Sequence, residues 1–265
     1  MSSHASRLPT LDHLVVLVSY NTLENLTGHL QDLFTVAPGG KHSNGLTSNK
    51  LVLFQDGVYI EFIAFYDNID PEKRRSHRWG NLRENTIIDW AFTYPPNNDF
   101  NAVRDRVAST NTQISYEKPA EWSRERDDGV ILEWTLSTAN GPSDNPISPG
   151  QLPFWCLDTT PRSLRVPYKE SPQLAQHPSD VRGVASLALV VDTSDINRLT
   201  KVYEALSGPT APGGRTWSYS VPEGQQAGTI SLGDTPGEAS ITLTLSGLVS
   251  RQIEPLPGLV FEIKE

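Results

Sequence analysis

Three stretches of this sequence begin in the same way, and that repetition constrains the fold more than any other feature. The first is LDHLVVLV, Leu11 to Val18, an apolar run of strand length, followed by polar residues and then Leu23, Leu26, Leu30 and Leu33 at helical spacing. Ser19 or Asn21 supplies an N-cap for that helix. Residues 184–206 reproduce the pattern, with Ser186 aligned to His13 and Ile196, Leu199, Val202 and Leu206 on the helical stripe. A weaker copy starts at Ile87. There Asp89 and Trp90 align with Asp12 and His13, and Phe100, Val103 and Val107 with Leu23, Leu26 and Leu30. Self-similarity of this kind means that one supersecondary unit is used more than once.

Each start is followed by further strands. The first unit continues through a Gly-rich loop into NKLVLFQ, a DG turn and VYIEFIAFY, with an earlier short strand near Phe34 to Val36. The second continues into GVILEWTLS and LPFWCLD, and the third into YSV, GTISLG and ASITLTLSG. The fold class is therefore α+β, with units over residues 8–66, 84–160 and 181–265. DNIDPEKRRSHRWGNLREN and PRSLRVPYKESPQLAQHPSDVRG read as linkers, and STANGPSDNPISPGQLP as a long exposed loop inside the second unit. KRRSHR, residues 73–78, is either a solvated linker or a lid that attracts an acidic ligand, with Arg83 helping.

Composition narrows the partners. A net charge of −9 disfavours nucleic acid and anionic membrane surfaces. The single cysteine, Cys156, excludes an intrachain disulfide and a zinc site built from cysteines. The polar opening MSSHASRLPT lacks the apolar run of a signal peptide, and no stretch reaches the length of a membrane span, so a cytoplasmic location is expected. GxGxxG, GxxxxGK, HExxH and GxSxG are all absent, which sets aside nucleotide cofactors, zinc proteases and serine hydrolases.

The pieces LDHLVVLV, NKLVLFQDGVYIEFIAF, IIDWAF, QLPFWCLDTTPR and VRGVASLALVV resemble, in order and spacing, the glyoxalase-like branch of the vicinal-oxygen-chelate superfamily, which includes glyoxalase I, extradiol dioxygenases and bleomycin-resistance proteins. The resemblance implies repeated βαβββ modules, two of which pair as facing curved sheets around a cleft, with a third module left over. It also implies that each module of a pair offers metal ligands from its first and last strands. His13 and Glu61 match those positions in the first module. Trp90 and Leu157 match them in the second, so the ligand set is incomplete, with His42 or His77 as loop residues able to swing in. Zn, Ni, Mn or Fe suits an imidazole and a carboxylate.

Without a metal, His13 and Glu61 form an acid/base pair. Glu61 sits in the middle of VYIEFIAF, where an isolated ionised carboxylate is very costly to bury, so it needs either water at a strand edge or a polar cleft with a partner. Such a pair can move a proton next to a carbonyl, the chemistry of an isomerase or lyase. Asn49, Tyr59 and Trp90 are candidate ligand-binding residues, Tyr59 and Trp90 by stacking on a flat molecule. That last feature also fits a non-catalytic binder of the bleomycin-resistance type. Trp79 and Trp122 are assigned to loops, at the entrance or as anchors, and Cys156 to a small buried hydrophobe. The third module, with Ser186 at the His13 position and Leu243 or Thr244 at the last-strand position, has no acid or imidazole. It covers a sheet edge or pairs with a second chain, so a homodimer is expected.

Overall fold

The protein is described from a computed structural model covering residues 8–94, 100–126, 128–224 and 227–265. Residues 1–7, read above as lacking a leader's apolar run, lie outside that set. Its first half runs β1 (Thr10–Leu17), α1 (Tyr20–Glu24), α2 (Leu26–Leu30), β2 (Ala37–His42), β3 (Thr47–Leu53), β4 (Tyr59–Phe65) and α3 (Pro71–Ser76). Then follow β5 (Thr86–Thr93), α4 (Phe100–Ala108), β6 (Ser115–Tyr116), β7 (Ala120–Glu125), β8 (Ile131–Ser137), β9 (Ala139–Asn140), β10 (Phe154–Asp158) and α5 (Arg162–Arg165). Ser19 is the cap chosen at α1, where its hydroxyl accepts the Thr22 N–H at 3.1 Å.

Eight of these strands close into a barrel in the order β1-β4-β3-β2-β7-β8-β10-β5. Within each half the first strand runs parallel to the last, His13 beside Tyr59 and Ala91 beside Phe154. The halves join where β1 meets β5 antiparallel, and again where β2 meets β7 through Lys41–Glu125 and His42–Arg124. Closure removes every free edge of that sheet. Closure buries the inward face of β1 and β4 and packing on the outside buries the other, which explains why their sequences are almost unbroken apolar runs. Val15, Leu17, Ile63, Ala91, Trp134 and Phe154 face the interior, whereas Leu14, Val16, Ile60, Phe62 and Phe92 face outward into a second core. The short strand placed near Phe34 is instead β2, which begins at Ala37. Gly40 allows the closure at this strand: a Cβ there would lie 2.2 Å from the Glu125 carbonyl oxygen.

The remainder forms β11 (Gly183–Asp192), α6 (Ile196–Ser207), β12 (Thr216–Tyr219), β13 (Gly228–Thr235), β14 (Ser240–Ser246), β15 (Arg251–Leu256) and β16 (Leu259–Lys264). These strands make an open sheet, β12-β13-β11-β14-β16-β15. The parallel partner of β11 is β13, not the SITLTL strand, which is β14 and runs antiparallel to β11 as β5 does to β1. The register therefore puts Ser231 at the last-strand position in place of Leu243 or Thr244, and that position still carries no acid. Helix α6 and one face of the sheet pack onto the barrel's outer core through Leu199, Tyr203, Leu187 and Leu243. No helix among the described residues is long and apolar enough to cross a membrane.

A buried histidine pins the segment before β11 to the barrel half. His177 stands edge-on to Phe34 and Phe54, accepts the Thr35 N–H at Nδ1 (3.1 Å) and donates from Nε2 to the Leu53 carbonyl (2.8 Å). Burial lowers its pKa to about 4. The unfolded chain takes up that proton near the ordinary value of about 6.5, so the folded state loses up to about 3 kcal/mol as pH falls from about 6.5 to 4. Urea unfolding across this window should show the loss, and His177→Gln should reduce it, leaving the part due to His77 and His42, whose burial lowers their pKa as well. An unchanged slope in the variant contradicts the assignment.

Candidate active site

The barrel encloses a cavity of about 410 Å³. His13, Asn49, Tyr59 and Glu61 all line it. Alternation along β4 points Tyr59, Glu61 and Ile63 inward, and Glu61 is only 7 % exposed. His13 Nε2 lies 3.7 Å from one Glu61 oxygen, and His42 Nε2 lies 3.6 Å from the other. His42 sits at the end of β2 with its Nδ1 2.8 Å from the Thr47 hydroxyl. Burial lowers its pKa, offset in part by the neighbouring Glu61 carboxylate.

His13 is fixed from behind. Its Nδ1 is 2.7 Å from Asp12 Oδ1, and its ring stacks on Tyr59 with centroids 4.7 Å apart. Asp12 itself is fully buried. Burial alone would raise its carboxyl, but Arg162 and Arg165 hold it well below the usual carboxylate range. Arg162 donates to Oδ2 at 2.6 Å, and Arg165 donates to both oxygens at 3.0 and 2.9 Å. Arg165 also grips Asp158 through two bonds and reaches the Tyr59 hydroxyl. An ionised Asp12 therefore accepts a proton-bearing Nδ1, which leaves Nε2 to face the cavity.

Asn49 joins the other side. Its Nδ2 donates to Glu61 Oε1, while its Oδ1 accepts from the Gly40 N–H at 3.0 Å and from Arg124 Nη1 at 2.9 Å. Asn49 is thus a positioning residue for Glu61, its polar atoms already engaged inside the protein. Around the rest of the cavity stand Trp79, Trp122, Trp134, Leu136, Phe154 and Arg78. Trp122 belongs to strand β7 and not to a loop. KRRSHR is neither simple linker nor free lid: it forms most of α3, and Arg78 beyond it reaches into the wall to pair with buried Asp89 at 2.6 Å. Trp79 donates to the same Asp89 oxygen at 2.8 Å.

Trp90 is on the opposite face. It is fully buried in the outer core, donates from Nε1 to the Gly150 carbonyl at 3.2 Å and lies parallel to Tyr203 of α6. The reason is a bulge. Leu11 pairs with Phe92 and His13 with Ala91, so Asp12 is an extra residue and Ala91, not Trp90, stands across from His13. The same register moves the second module's last-strand position. Glu61 lies two residues beyond His13's partner Tyr59, and Cys156 lies two beyond Ala91's partner Phe154. Cys156 lines the cavity, while Leu157 packs into the outer core. Trp90→Ala should therefore cost about 3–5 kcal/mol of stability in denaturant titration, with ligand-induced fluorescence changes from the cavity tryptophans retained. Loss of those changes in a still-folded variant contradicts this placement.

His13 and Glu61 face each other, and an imidazole and a carboxylate suit a divalent metal in type; the Cys156 thiol lines the same cavity. Asp12, His13 and Cys156 offer ligand atoms all within 4.8 Å of one another. Asp12 is already held by two arginines, which makes it the orienting partner of His13 and not a ligand. Burial raises the Cys156 thiol well above its ordinary pKa, so it is a neutral thiol unless a cation draws off its proton.

Sequence reasoning missed Asp12, Arg124, Arg162 and Arg165. Asp12 had a legible signal, a carboxylate inside an apolar strand that must find partners. The arginines had none, because they arrive from segments more than a hundred residues away along the chain or from a strand that was read as loop.

Residues 11–207 match a family described as glyoxalase-like domain. A hypothetical protein from Staphylococcus aureus shares the fold over 97 % of this chain and 99 % of its own, with a TM-score of 0.68 at 14 % identity. 2,2′,3-Trihydroxybiphenyl 1,2-dioxygenase from Sphingomonas wittichii aligns over 97 % and 90 % at 9 % identity, with a TM-score of 0.47. A 4-hydroxymandelate synthase mutant from Streptomyces coelicolor aligns over 91 % and 72 % at 14 % identity, with a TM-score of 0.46. No curated protein matches the sequence. With the family covering most of the chain, this chain belongs to the glyoxalase-like domain family.

Proposed function

We propose that the protein is an enzyme of the isomerase or lyase type that moves a proton beside a carbonyl group of a small organic molecule held in the barrel cavity. One observation carries this reading: a buried imidazole, locked by Asp12 and Tyr59, faces a buried carboxylate across 3.7 Å at the cavity wall. His13 Nε2 and Glu61 are the two groups placed to take a proton from one atom of the substrate and return it to another. Asp12 steadies the imidazolium that forms when Nε2 gains the proton, and Asn49 keeps Glu61 from turning away. The apolar walls exclude water, which strengthens both interactions.

A second reading is metal-assisted, favoured by the convergence of His13 and Cys156 next to Asp12. His13 would hold the ion, with Cys156 beside it or Glu61 across from it as the further donor, and a bound divalent metal supplies polarisation of a substrate carbonyl. Turnover of a panel of small keto acids and ketoaldehydes by chelator-treated, tag-free protein separates the two. Retained activity supports proton transfer by the pair alone. Activity that disappears and returns with Zn, Ni, Mn or Fe supports the metal reading, and elemental analysis should then find about one metal per chain. A Trp90 binder of the bleomycin-resistance type finds no support in the geometry, since Trp90 does not line the cavity.

A further inference from the structure

Arg124 is the least balanced charge in the cavity wall. It is 3 % exposed, yet among the described residues no carboxylate lies within ion-pairing distance of it. Its Nη1 donates to Asn49, and its Nε is buried with no partner. The other two cavity-lining arginines differ: Arg78 is paired with Asp89, and Arg165 with Asp12 and Asp158. Burying a guanidinium without an anion is costly, and a donor left unmade adds to that cost. Glu61 offsets it only from beyond ion-pairing distance, with the Asn49 amide bridging the two.

The surroundings specify what would complete the balance. On β7, Trp122 and Arg124 are two residues apart and both line the cavity, so an indole and a guanidinium point the same way with a spacing of about 7 Å. Trp134, the cross-strand neighbour of Trp122, and Phe154 extend the flat apolar wall. We propose that Arg124 is an anion subsite and that the ligand is a small aromatic carboxylate, its ring along Trp122, Trp134 and Phe154 and its acid group on the guanidinium. The link from Arg124 through Asn49 to Glu61 sets the carbon adjoining the acid group beside the His13–Glu61 pair. This deepens the reading above, on which its relevance to turnover rests.

The test uses phenylacetate and its uncharged isostere phenylacetamide, titrated into the full chain and followed by calorimetry and tryptophan fluorescence. Wild type should bind the acid at least about tenfold more tightly than the amide. Arg124→Met should abolish that preference, and Arg124→Lys should keep part of it. Glu61→Gln should tighten the acid and leave the amide unchanged, because it removes a competing negative charge. Equal affinities in wild type, no saturable binding of either compound, or a preference that survives Arg124→Met overturns the proposal. The wild-type comparison needs no variant, so a misfolded Arg124→Met leaves the test decisive. Binding is read apart from turnover: if Glu61→Gln keeps full turnover while the acid preference stands, proton transfer by Glu61 fails and the anion subsite does not.

Discussion

Glu61→Gln should lower turnover by roughly 10²–10⁴-fold, the usual contribution of a positioned acid or base, with little loss of fold. Gln has the same shape, and Glu61 stands between two imidazoles, an asparagine amide and the cavity. The amide can still meet Asn49 and His42, but it neither accepts nor releases a proton at neutral pH. The informative companion is His13→Gln. If both groups act on one substrate, the double variant should be little slower than either single one, because residues working as a unit are strongly non-additive. Effects that multiply would instead mean that the two groups contribute independently and not as one unit. Stability of each variant, measured by denaturant titration, separates lost chemistry from lost structure.

Arg165→Met should be the most destabilising single change at the site, by about 3–5 kcal/mol, the cost of stripping a partner from a buried ion pair. Arg165 binds both Asp12 oxygens and both Asp158 oxygens, so its removal leaves two carboxylates short of donors in a nearly dry wall. Asp12 would then keep only Arg162 and His13, and Tyr59 would lose its hydroxyl partner while still stacking on His13. The stability loss should be smaller in an Asp12→Asn background, where the charge left behind is gone. If Arg165→Met costs as much there as in wild type, the guanidinium serves packing and not Asp12.

The sequence carried the barrel strands clearly, because burial on both faces writes β1 and β4 as apolar runs that few other structures require. Within them a histidine and a glutamate stood out, and both face the cavity. The second module was harder for a specific reason. A gap-free alignment placed Trp90 under His13, but the bulge at Asp12 shifts the pairing by one residue, and one residue exchanges the inside of a strand for the outside. The same slip turned attention to Leu157 when Cys156 was the inward residue. Strand β7 is hard to read because AEWSRE carries one large apolar residue among polar and charged ones, yet its Trp122 and Arg124 both face the cavity. The two linkers read as connectors, with KRRSHR alone set apart as a basic cluster, because Arg78, Arg162 and Arg165 acquire their roles only from buried aspartates that the chain brings near them on folding.

The most direct measurement of the central claim is proton exchange in heavy water, followed by NMR at the carbon beside the carbonyl of phenylpyruvate with chelator-treated protein. The His13–Glu61 account predicts that wild type accelerates exchange above the uncatalysed rate and that Glu61→Gln and His13→Gln return it to background while the variants stay folded. Exchange equally fast in wild type and Glu61→Gln would contradict it.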